Sequence, residues 1–184
     1  MVIFQVGDII KNHYILQQQI GIGAFGAIFS VKRIGGSQSS PEAMKLEKES
    51  INYSQIYTEV AVMQEMQGKP HFAKFYQSGT HLNSKFCTME LLGPSLIDLI
   101  TRKLPMRFSL FSTLKFGIQA IEALYLLHKS GFVHRDIKPG NFVIGNTKQT
   151  SGTLYLIDFG LSKRKQRTDR IIAIPRTNIF KGTL

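Results

Sequence analysis

The chain has 184 residues, of which 43% are hydrophobic and 19% are charged. This composition excludes an intrinsically disordered or fibrous protein, because it supplies enough apolar residues for a sizeable core. The formal net charge of +11 is uneven, since residues 93–184 carry 15 Lys or Arg against 5 Asp or Glu, whereas residues 1–92 carry 8 against 7.

Targeting features favour the cytoplasm or the nucleus. Residues 1–8 have no basic stretch before their apolar residues and reach Asp8 early, which is not typical of a secretory signal. No uninterrupted apolar run approaches the roughly 18 residues of a spanning helix, so we expect no membrane association. The single cysteine, Cys87, excludes an internal disulfide.

The first ninety residues predict a strand-rich region around a glycine-rich stretch at residues 21–26. Short runs of β-branched and aromatic residues flank this stretch and recur after a turn-rich segment. Apolar residues at helical spacing predict a helix over residues 54–67, which ends before Gly68. The predicted strands are residues 14–20, 27–33, 42–47, 72–80 and 85–90.

Gly93 and Pro94 mark the predicted boundary between two units, residues 1–92 and 93–184. In the second unit, Ser95 is a cap for a short helix over residues 96–102, and a longer helix ends near His128. Short strands are predicted at residues 142–144 and 154–157. The apolar stripe of the longer helix consists of Phe111, Leu114, Ile118, Ile121 and Leu124 or Tyr125. These elements predict an α+β fold.

The glycine-rich stretch predicts a lid over phosphate groups. Glycines lack side chains, so the backbone can close over phosphates and offer its N–H groups to them. A dinucleotide-binding fingerprint is the alternative, but it requires a helix after the third glycine, whereas a strand-like run follows here. The stretch consists of Gly21, Ile22, Gly23, Ala24, Phe25 and Gly26.

Lys45 is a candidate for binding nucleotide phosphates, with Glu59 as its partner. Glu59 lies fourteen residues after Lys45, on the predicted helix of the first unit. A helix that packs inward can bring this carboxylate to the ammonium and form a switchable ion pair. The alternative is an ordinary solvent-exposed lysine.

Asp136 is the candidate that orients a hydroxyl group and accepts its proton. Lys138 can reach a transferring phosphate as a point charge. Asn141 and Asp158 offer hard oxygen ligands suited to Mg²⁺. An isolated aspartate in a loop is more often a turn former, but the motifs at residues 134–141 and 158–160 stand in the order of the protein-kinase signatures.

The remaining basic and histidine residues are assigned no catalytic role. His134 is expected to pack and to bond the backbone, and Arg135 is expected to anchor a phosphorylated or acidic loop. The basic tail at residues 163–181 could meet phosphates, acidic peptides or nucleic acid, or it could be a solvated loop. Nucleic acid is disfavoured, because the tail has no interleaved aromatic residues. No zinc site is expected.

At these residues the chain resembles a eukaryotic protein kinase, and within that superfamily the casein kinase I group. Residues 89–96 resemble the hinge of that group, and residues 134–142 resemble its catalytic loop. Residues 67–69, 131–134 and 180–183 look like the tau-tubulin kinase branch. The resemblance extends from about Tyr14 to Thr183, which covers nearly all of the chain but only part of a kinase.

The resemblance implies a two-lobe fold, with a strand-rich N-lobe and an incomplete helical C-lobe, and it implies ATP and Mg²⁺ as cofactors. Met89 would be the gatekeeper behind the adenine, and Glu90 and Leu92 would offer backbone groups to its edge. The glycine-rich loop residues 21–27 would cover the phosphates, ending with Ala27. The residues expected to sandwich the ring are Ile20, Ile28, Ala43, Val143 and Ile157.

The expected function is a protein serine/threonine kinase that transfers the ATP γ-phosphate to protein hydroxyls, because a lysine in the position of Lys138 resembles serine/threonine kinases. Its expected partner is a protein substrate, which in relatives of this group is acidic or phosphorylated. The alternative is a truncated kinase-like module that binds nucleotide or a partner without transferring phosphate. Truncation of the larger lobe would expose apolar faces of the long helix.

Overall fold

The structure is a computed structural model that describes residues 4–23, 26–35, 41–47, 54–102 and 106–165. Several predictions fall on residues outside these ranges. They concern Ala24 and Phe25 of the glycine-rich stretch, the basic tail beyond Lys165, and the similarity at residues 180–183.

A six-stranded antiparallel sheet forms the first region, with the strand order β1-β2-β3-β4-β6-β5. The strands predicted from the sequence are confirmed, whereas the short β1 at the edge was not predicted. Strand β1 has two residues, which are too few to show the alternation of apolar and polar residues that predicts a strand. The strands are β1 Ile9–Ile10, β2 Tyr14–Gly23, β3 Gly26–Arg33, β4 Glu42–Glu47, β5 Phe75–His81 and β6 Ser84–Glu90.

The outer face of the sheet has its own apolar core. Alternate residues of several strands meet there, as expected for strands with one buried face, and the phenol of Tyr14 donates to Oε1 of Gln77 at 3.1 Å. The Arg33 guanidinium lies over the Tyr14 ring at 5.2 Å. The buried members are Ile10, Tyr14, Leu16, Phe29, Val31, Met44, Leu46 and Phe86.

Helix α1, Ile56–Glu65, packs on the other side of the sheet against β5 and β6. It is shorter than the predicted helix over residues 54–67, because its start is fixed by Glu47 of strand β4. The carboxylate of Glu47 accepts hydrogen bonds from the Ser54 hydroxyl at 2.5 Å and from the Gln55 amide at 2.6 Å. This carboxylate satisfies donors that the first turn of a helix leaves unpaired.

Among its described residues, the second region contains two helices, a 3-10 helix and four short strands. Strands β8 and β9 pair antiparallel, as do β7 and β10, and Ser95 forms a capping box with Asp98 at the start of α2. The predicted boundary after residue 92 stays a prediction. The elements are α2 Leu96–Thr101, α3 Leu110–Lys129, β7 Phe132–Val133, the 3-10 helix Pro139–Asn141, β8 Phe142–Ile144, β9 Leu154–Leu156 and β10 Lys163–Arg164.

Helix α3 exists as predicted, and most of its predicted apolar stripe lies outside the core. Ala123 and Leu127 are its buried residues, and they join a core cluster with α1, β7, β8 and β9. The helix is apolar on more than one face, so helical spacing alone does not identify the face that packs. Of the predicted stripe, Phe111, Leu114, Ile118, Ile121 and Tyr125 are all at least 58% exposed, and only Leu124 packs against the core.

The expectation that no apolar run approaches the length of a spanning helix needs correction. Helix α3 has 20 residues and is apolar enough to cross a membrane by length and composition. The sequence search missed it because polar residues interrupt the apolar ones. Length and composition do not make a helix a membrane span, since core helices of soluble proteins pass the same test.

Candidate functional site

The side chain of Lys45 joins strand β4, helix α1 and the turn at Asp158. Its Nζ lies 2.5 Å from Oε2 of Glu59 and 2.8 Å from Oδ1 of Asp158. Strand β4 is central in the sheet, and Glu59 lies on the buried face of α1. The structure thus brings together Lys45 and Glu59, as the fourteen-residue spacing predicted, and adds a second carboxylate.

The charges of this cluster favour a permanent cation at Lys45. Burial opposes the charged ammonium, but the carboxylates of Glu59 and Asp158 outweigh this effect and raise the pKa of Lys45 above its ordinary value. Burial also raises the pKa of Glu59, and the Lys45 ammonium opposes that change. A fixed cation of this kind is suited to the phosphate oxygens of a nucleotide.

A second polar cluster surrounds Asp136, in the loop between β7 and β8. Oδ2 of the buried Asp136 lies 2.9 Å from Nζ of Lys138. Nδ2 of Asn141 donates to the Asp136 carbonyl at 2.8 Å and to Oδ2 at 3.0 Å. The carboxylate is therefore held in one orientation beside a cation, which suits the acceptance of a proton from a hydroxyl group.

His134 supports the backbone at Asp136. Its Nε2 donates to the Ile157 carbonyl at 2.9 Å, while its Nδ1 accepts from the Asp136 amide at 3.2 Å. This pattern corresponds to a neutral ring, and burial lowers the pKa of His134. The ring also packs edge-on against Phe159, with centroids 5.4 Å apart. These contacts match the packing and backbone-bonding role expected from the sequence.

Two residues of the site have left-handed backbone conformations without being glycine. Arg135 has a φ of 70° and Asp158 a φ of 65°, and such conformations concentrate at functional sites. Nε of Arg135 donates to the Leu161 carbonyl at 2.6 Å. The expected role of Arg135 as an anchor for a charged loop stays a prediction.

Asn141 and Asp158, the predicted metal ligands, fit a Mg²⁺ ion by their chemistry. Both hydrogen bonds of the Asn141 amide use its nitrogen, which leaves its oxygen for a metal. Oδ1 of Asp158 contacts Lys45, and its second oxygen is not part of that ion pair. In the described ranges no three His, Cys, Asp or Glu side chains cluster as metal ligands, so the remaining ligands would be phosphate oxygens and water.

The described glycines of the glycine-rich stretch differ in the space that a side chain would find at each position. A side chain at Gly26 would collide with the backbone carbonyl of Leu46 on β4, whereas a side chain at Gly23 would meet open space. At Gly21 it would touch Ile28 at an ordinary 3.5 Å. The pairing of β2 with β3 continues past Ile22 and ends with Gly23 opposite Gly26. The predicted loop is therefore mostly continuous strand. Only Gly23 has the open space expected of a lid.

The residues predicted to sandwich an adenine lie on β2, β3, β4 and β8 and directly after β9, and they differ in burial. Ala43 and Val143 are buried, Ile28 and Ile157 are half-buried, and Ile20 is exposed. Ala43 lies opposite the half-buried Met89 in the pairing of β4 with β6. Met89 and Ala27 also pack at the margins of the two core clusters.

The segment after β6 leaves a backbone donor for a ligand. The Glu90 amide donates to the Lys74 carbonyl at 2.8 Å, and the Leu91 amide donates to the Pro41 carbonyl at 3.0 Å. Among the described residues the Leu92 amide has no backbone acceptor. Glu90 could therefore offer only its carbonyl to an adenine, whereas Leu92 could offer its N–H.

Sequence reasoning missed two residues beside the site, Glu47 and Gln55. Glu47 holds the start of α1, as described above, and Gln55 contacts Gly160 of the turn at Asp158. The spacing of four residues between Gln55 and Glu59 indicates a shared helix face, but it does not indicate the contact with Gly160. Glu47 carries no comparable signal in the sequence.

Comparisons with known proteins agree with this geometry. The family described as protein kinase domain matches residues 14–184. A Dictyostelium discoideum protein whose name carries the words serine/threonine-protein kinase is 41% identical over 161 residues, which cover 88% of this chain and 32% of that protein. A Caenorhabditis elegans protein whose name carries the words casein kinase I is 35% identical over 182 residues, covering 96% of this chain and 52% of that protein. The chain thus spans about a third to a half of the length of these relatives.

Proposed function

Since the chain belongs to the protein kinase domain family, we propose that it is a serine/threonine kinase that transfers the γ-phosphate of ATP to hydroxyl groups of protein substrates. Its α+β architecture is the two-lobe kinase fold. The observation that carries the proposal is the contact of Lys45 with both Glu59 and Asp158. This contact supports the proposal because a cation suited to phosphate oxygens lies beside a candidate metal ligand.

In the proposed reaction, Asp136 orients the substrate hydroxyl and accepts its proton. The hydroxyl oxygen then forms a bond to the γ-phosphorus, while the bond from that phosphorus to the bridging oxygen breaks and ADP leaves. Lys138 stabilises the charge that spreads over the transferring phosphate, because its ammonium is held beside Asp136.

ATP and Mg²⁺ are the proposed cofactors. Asn141 and Asp158 would hold the metal, which when bound neutralises phosphate charge. Lys45 would bind phosphate oxygens beneath the glycine-rich stretch. The adenine would lie among the apolar side chains next to Met89, with its edge toward the free N–H of Leu92.

We also propose the finer assignments that follow from the resemblance. The chain would be a member of the casein kinase I group, in its tau-tubulin kinase-like branch, and would act in the cytoplasm or nucleus. Its substrates would be proteins with acidic or phosphorylated segments. The basic residues Lys163, Arg164 and Lys165 are exposed near the catalytic loop and support this substrate class.

One observation favours a second candidate function, a module that binds nucleotide or a protein partner without transferring phosphate. The exposed apolar stripe of α3 leaves a surface that is open to a partner.

The proposal is tested first by a thermal melt with and without Mg²⁺ and ATP. At a hundredfold excess over the dissociation constant, the ligand should stabilise the folded chain by about 2.7 kcal/mol. A cooperative transition that moves upward agrees with both candidate functions. An unchanged transition contradicts a nucleotide site.

The two candidates are separated by a phosphotransfer assay on the wild-type protein and on Asp136→Asn. This variant removes the proton acceptor but retains side-chain size, so we expect loss of transfer of roughly a hundredfold or more with nucleotide binding retained. Full turnover in Asp136→Asn would remove Asp136 from the mechanism. Nucleotide binding without transfer in the wild type would favour the module.

A further inference from the structure

Gly160 lies in close contact with helix α1. A Cβ atom built on Gly160 would lie 2.8 Å from Oε1 and 3.1 Å from Cβ of Gln55. Gly160 is buried, and its φ lies outside the left-handed region that favours glycine. A methyl group at this position would therefore crowd Gln55, whose Cβ would have to shift by a few tenths of an ångström, although the backbone conformation itself would accept it.

The side chain of Gln55 has no role in starting the helix. Gln55 is the N-cap residue of α1, but its side chain makes no capping hydrogen bond. Its backbone is held at both ends, because its amide donates to Glu47 at 2.6 Å and its carbonyl accepts from the Glu59 amide at 3.0 Å. The position of Gln55 is thus fixed by β4 and α1, while its side chain faces Gly160.

Helix α1 therefore meets the turn at residues 158–160 at two points, one helical turn apart. Gln55 contacts Gly160, and Glu59 binds the Lys45 ammonium that also contacts Asp158. Two contacts on a rigid helix restrict both the place and the rotation of the turn, whereas one contact would leave it free to pivot.

We propose that Gln55 is a positioning residue, whose packing on Gly160 sets the orientation of Asp158 toward the metal ion. The proposal rests on the proposed function, which assigns Asp158 to Mg²⁺. It adds a contact at the start of α1 to the ion pair of Lys45 with Glu59.

The test is a rescue experiment on the full-length protein, with the affinity for ATP measured in Mg²⁺ and in EDTA. Gly160→Ala places a methyl group against Gln55, and we expect it to weaken binding in Mg²⁺ roughly tenfold with a smaller change in EDTA. Gln55→Gly removes the opposing side chain, and glycine is tolerated at an N-cap. Gln55→Gly alone loses the packing on Gly160 and should also weaken binding in Mg²⁺. In the double variant the methyl group at position 160 fills part of the vacated space, so this variant should recover the wild-type affinity in Mg²⁺ to within about twofold. Wild-type affinity of Gln55→Gly in Mg²⁺ would overturn the role of Gln55.

Two further variants control for general damage. Gln55→Ala keeps the Cβ atom that would lie 3.1 Å from the new methyl group, so with Gly160→Ala it should rescue only in part. Gly152→Ala places a methyl group in open space away from the site, and it should leave both affinities unchanged. A thermal melt of each variant confirms that it is folded.

The outcomes separate this proposal from the proposed function. Gly160→Ala with wild-type affinity in Mg²⁺, or a folded double variant that is not rescued, overturns the role of Gln55. Wild-type ATP binding that does not depend on Mg²⁺ overturns it as well. Rescue of Mg²⁺-dependent binding in a chain that transfers no phosphate supports the role of Gln55 and contradicts only the kinase activity.

Discussion

The sheet and helix α3 place their apolar residues differently. In the sheet, alternate residues of β1 to β4 and β6 enclose a core whose members are nearly all inaccessible. In α3 the buried residues are Ala123 and Leu127, whereas a row of large apolar side chains faces outward. The exposed members of this row are Leu110, Phe111, Leu114, Ile118, Ile121 and Tyr125.

The difference shows what an apolar pattern can and cannot decide. A strand has two faces, so alternation with polar residues identifies the buried one. A helix that is apolar on several faces offers more than one choice, and the neighbouring elements select between them. For α3 these neighbours are β7 and β9, which pack on the face of Ala123 and Leu127.

The largest expected effect is a difference in stability between two variants of α3. Leu127→Ala should lower the free energy of unfolding by about 2–5 kcal/mol, because it leaves a cavity in the core. Ile118→Ala should change it by no more than about 0.5 kcal/mol, because Ile118 is 68% exposed. Denaturant unfolding of the two variants measures both values.

The matched pair uses similar side chains on one helix, so helix propensity affects both variants alike. A large loss in Ile118→Ala would mean that the outer face of α3 is covered in solution, for example by self-association. Sedimentation at several concentrations shows whether the chain self-associates. Equal losses in a monomer would contradict the assignment of the buried face.

Much of the fold could be predicted, because its longer elements carry strong local signals. The strand at residues 42–47, the capping by Ser95 and the existence of the long helix were all predicted correctly. Strands β1, β7 and β10 have two residues each, too few for a period to appear. Their pairing is decided by residues far away in the sequence.

The candidate site shows the same limit. The spacing of Lys45 and Glu59 predicted their contact, since it follows from one strand and one helix. The contact of Gln55 with Gly160 joins residues more than one hundred positions apart, and no local pattern indicates it. The glycine at position 26 was assigned to phosphate binding, whereas its environment also requires glycine for the approach of Leu46.

The next largest expected effect is a difference in stability between two glycine variants of the sheet. Gly26→Ala should lower the free energy of unfolding by about 1–3 kcal/mol, because the new methyl group meets the Leu46 carbonyl on the adjacent strand. Gly23→Ala should change it by about 0.5 kcal/mol or less, because its methyl group meets open space. Denaturant unfolding again provides the measurement. A similar loss of stability in both variants would mean that a side chain anywhere in the glycine-rich stretch is destabilising, and that the contact with β4 is not the cause.

The smallest effect concerns pH and the second region. Burial lowers the pKa of His134 in the folded chain below its ordinary value of 6.5, so the unfolded chain binds the proton more readily. The stability that the neutral ring provides is therefore complete above about pH 6.5 and decreases as the pH falls below this value. A protonated Nδ1 would also lose the hydrogen bond from the Asp136 amide.

Thermal melts at pH 7.5 and 5.5 measure this loss in the wild type and in His134→Gln. The variant retains a donor for the Ile157 carbonyl but has no group that titrates in this range, so its melting temperature should fall less between the two pH values. His128→Gln, at the exposed end of α3, is the control and should behave as the wild type does. If His134→Gln loses as much stability as the wild type, the acid sensitivity arises elsewhere, and the second region does not depend on a neutral His134.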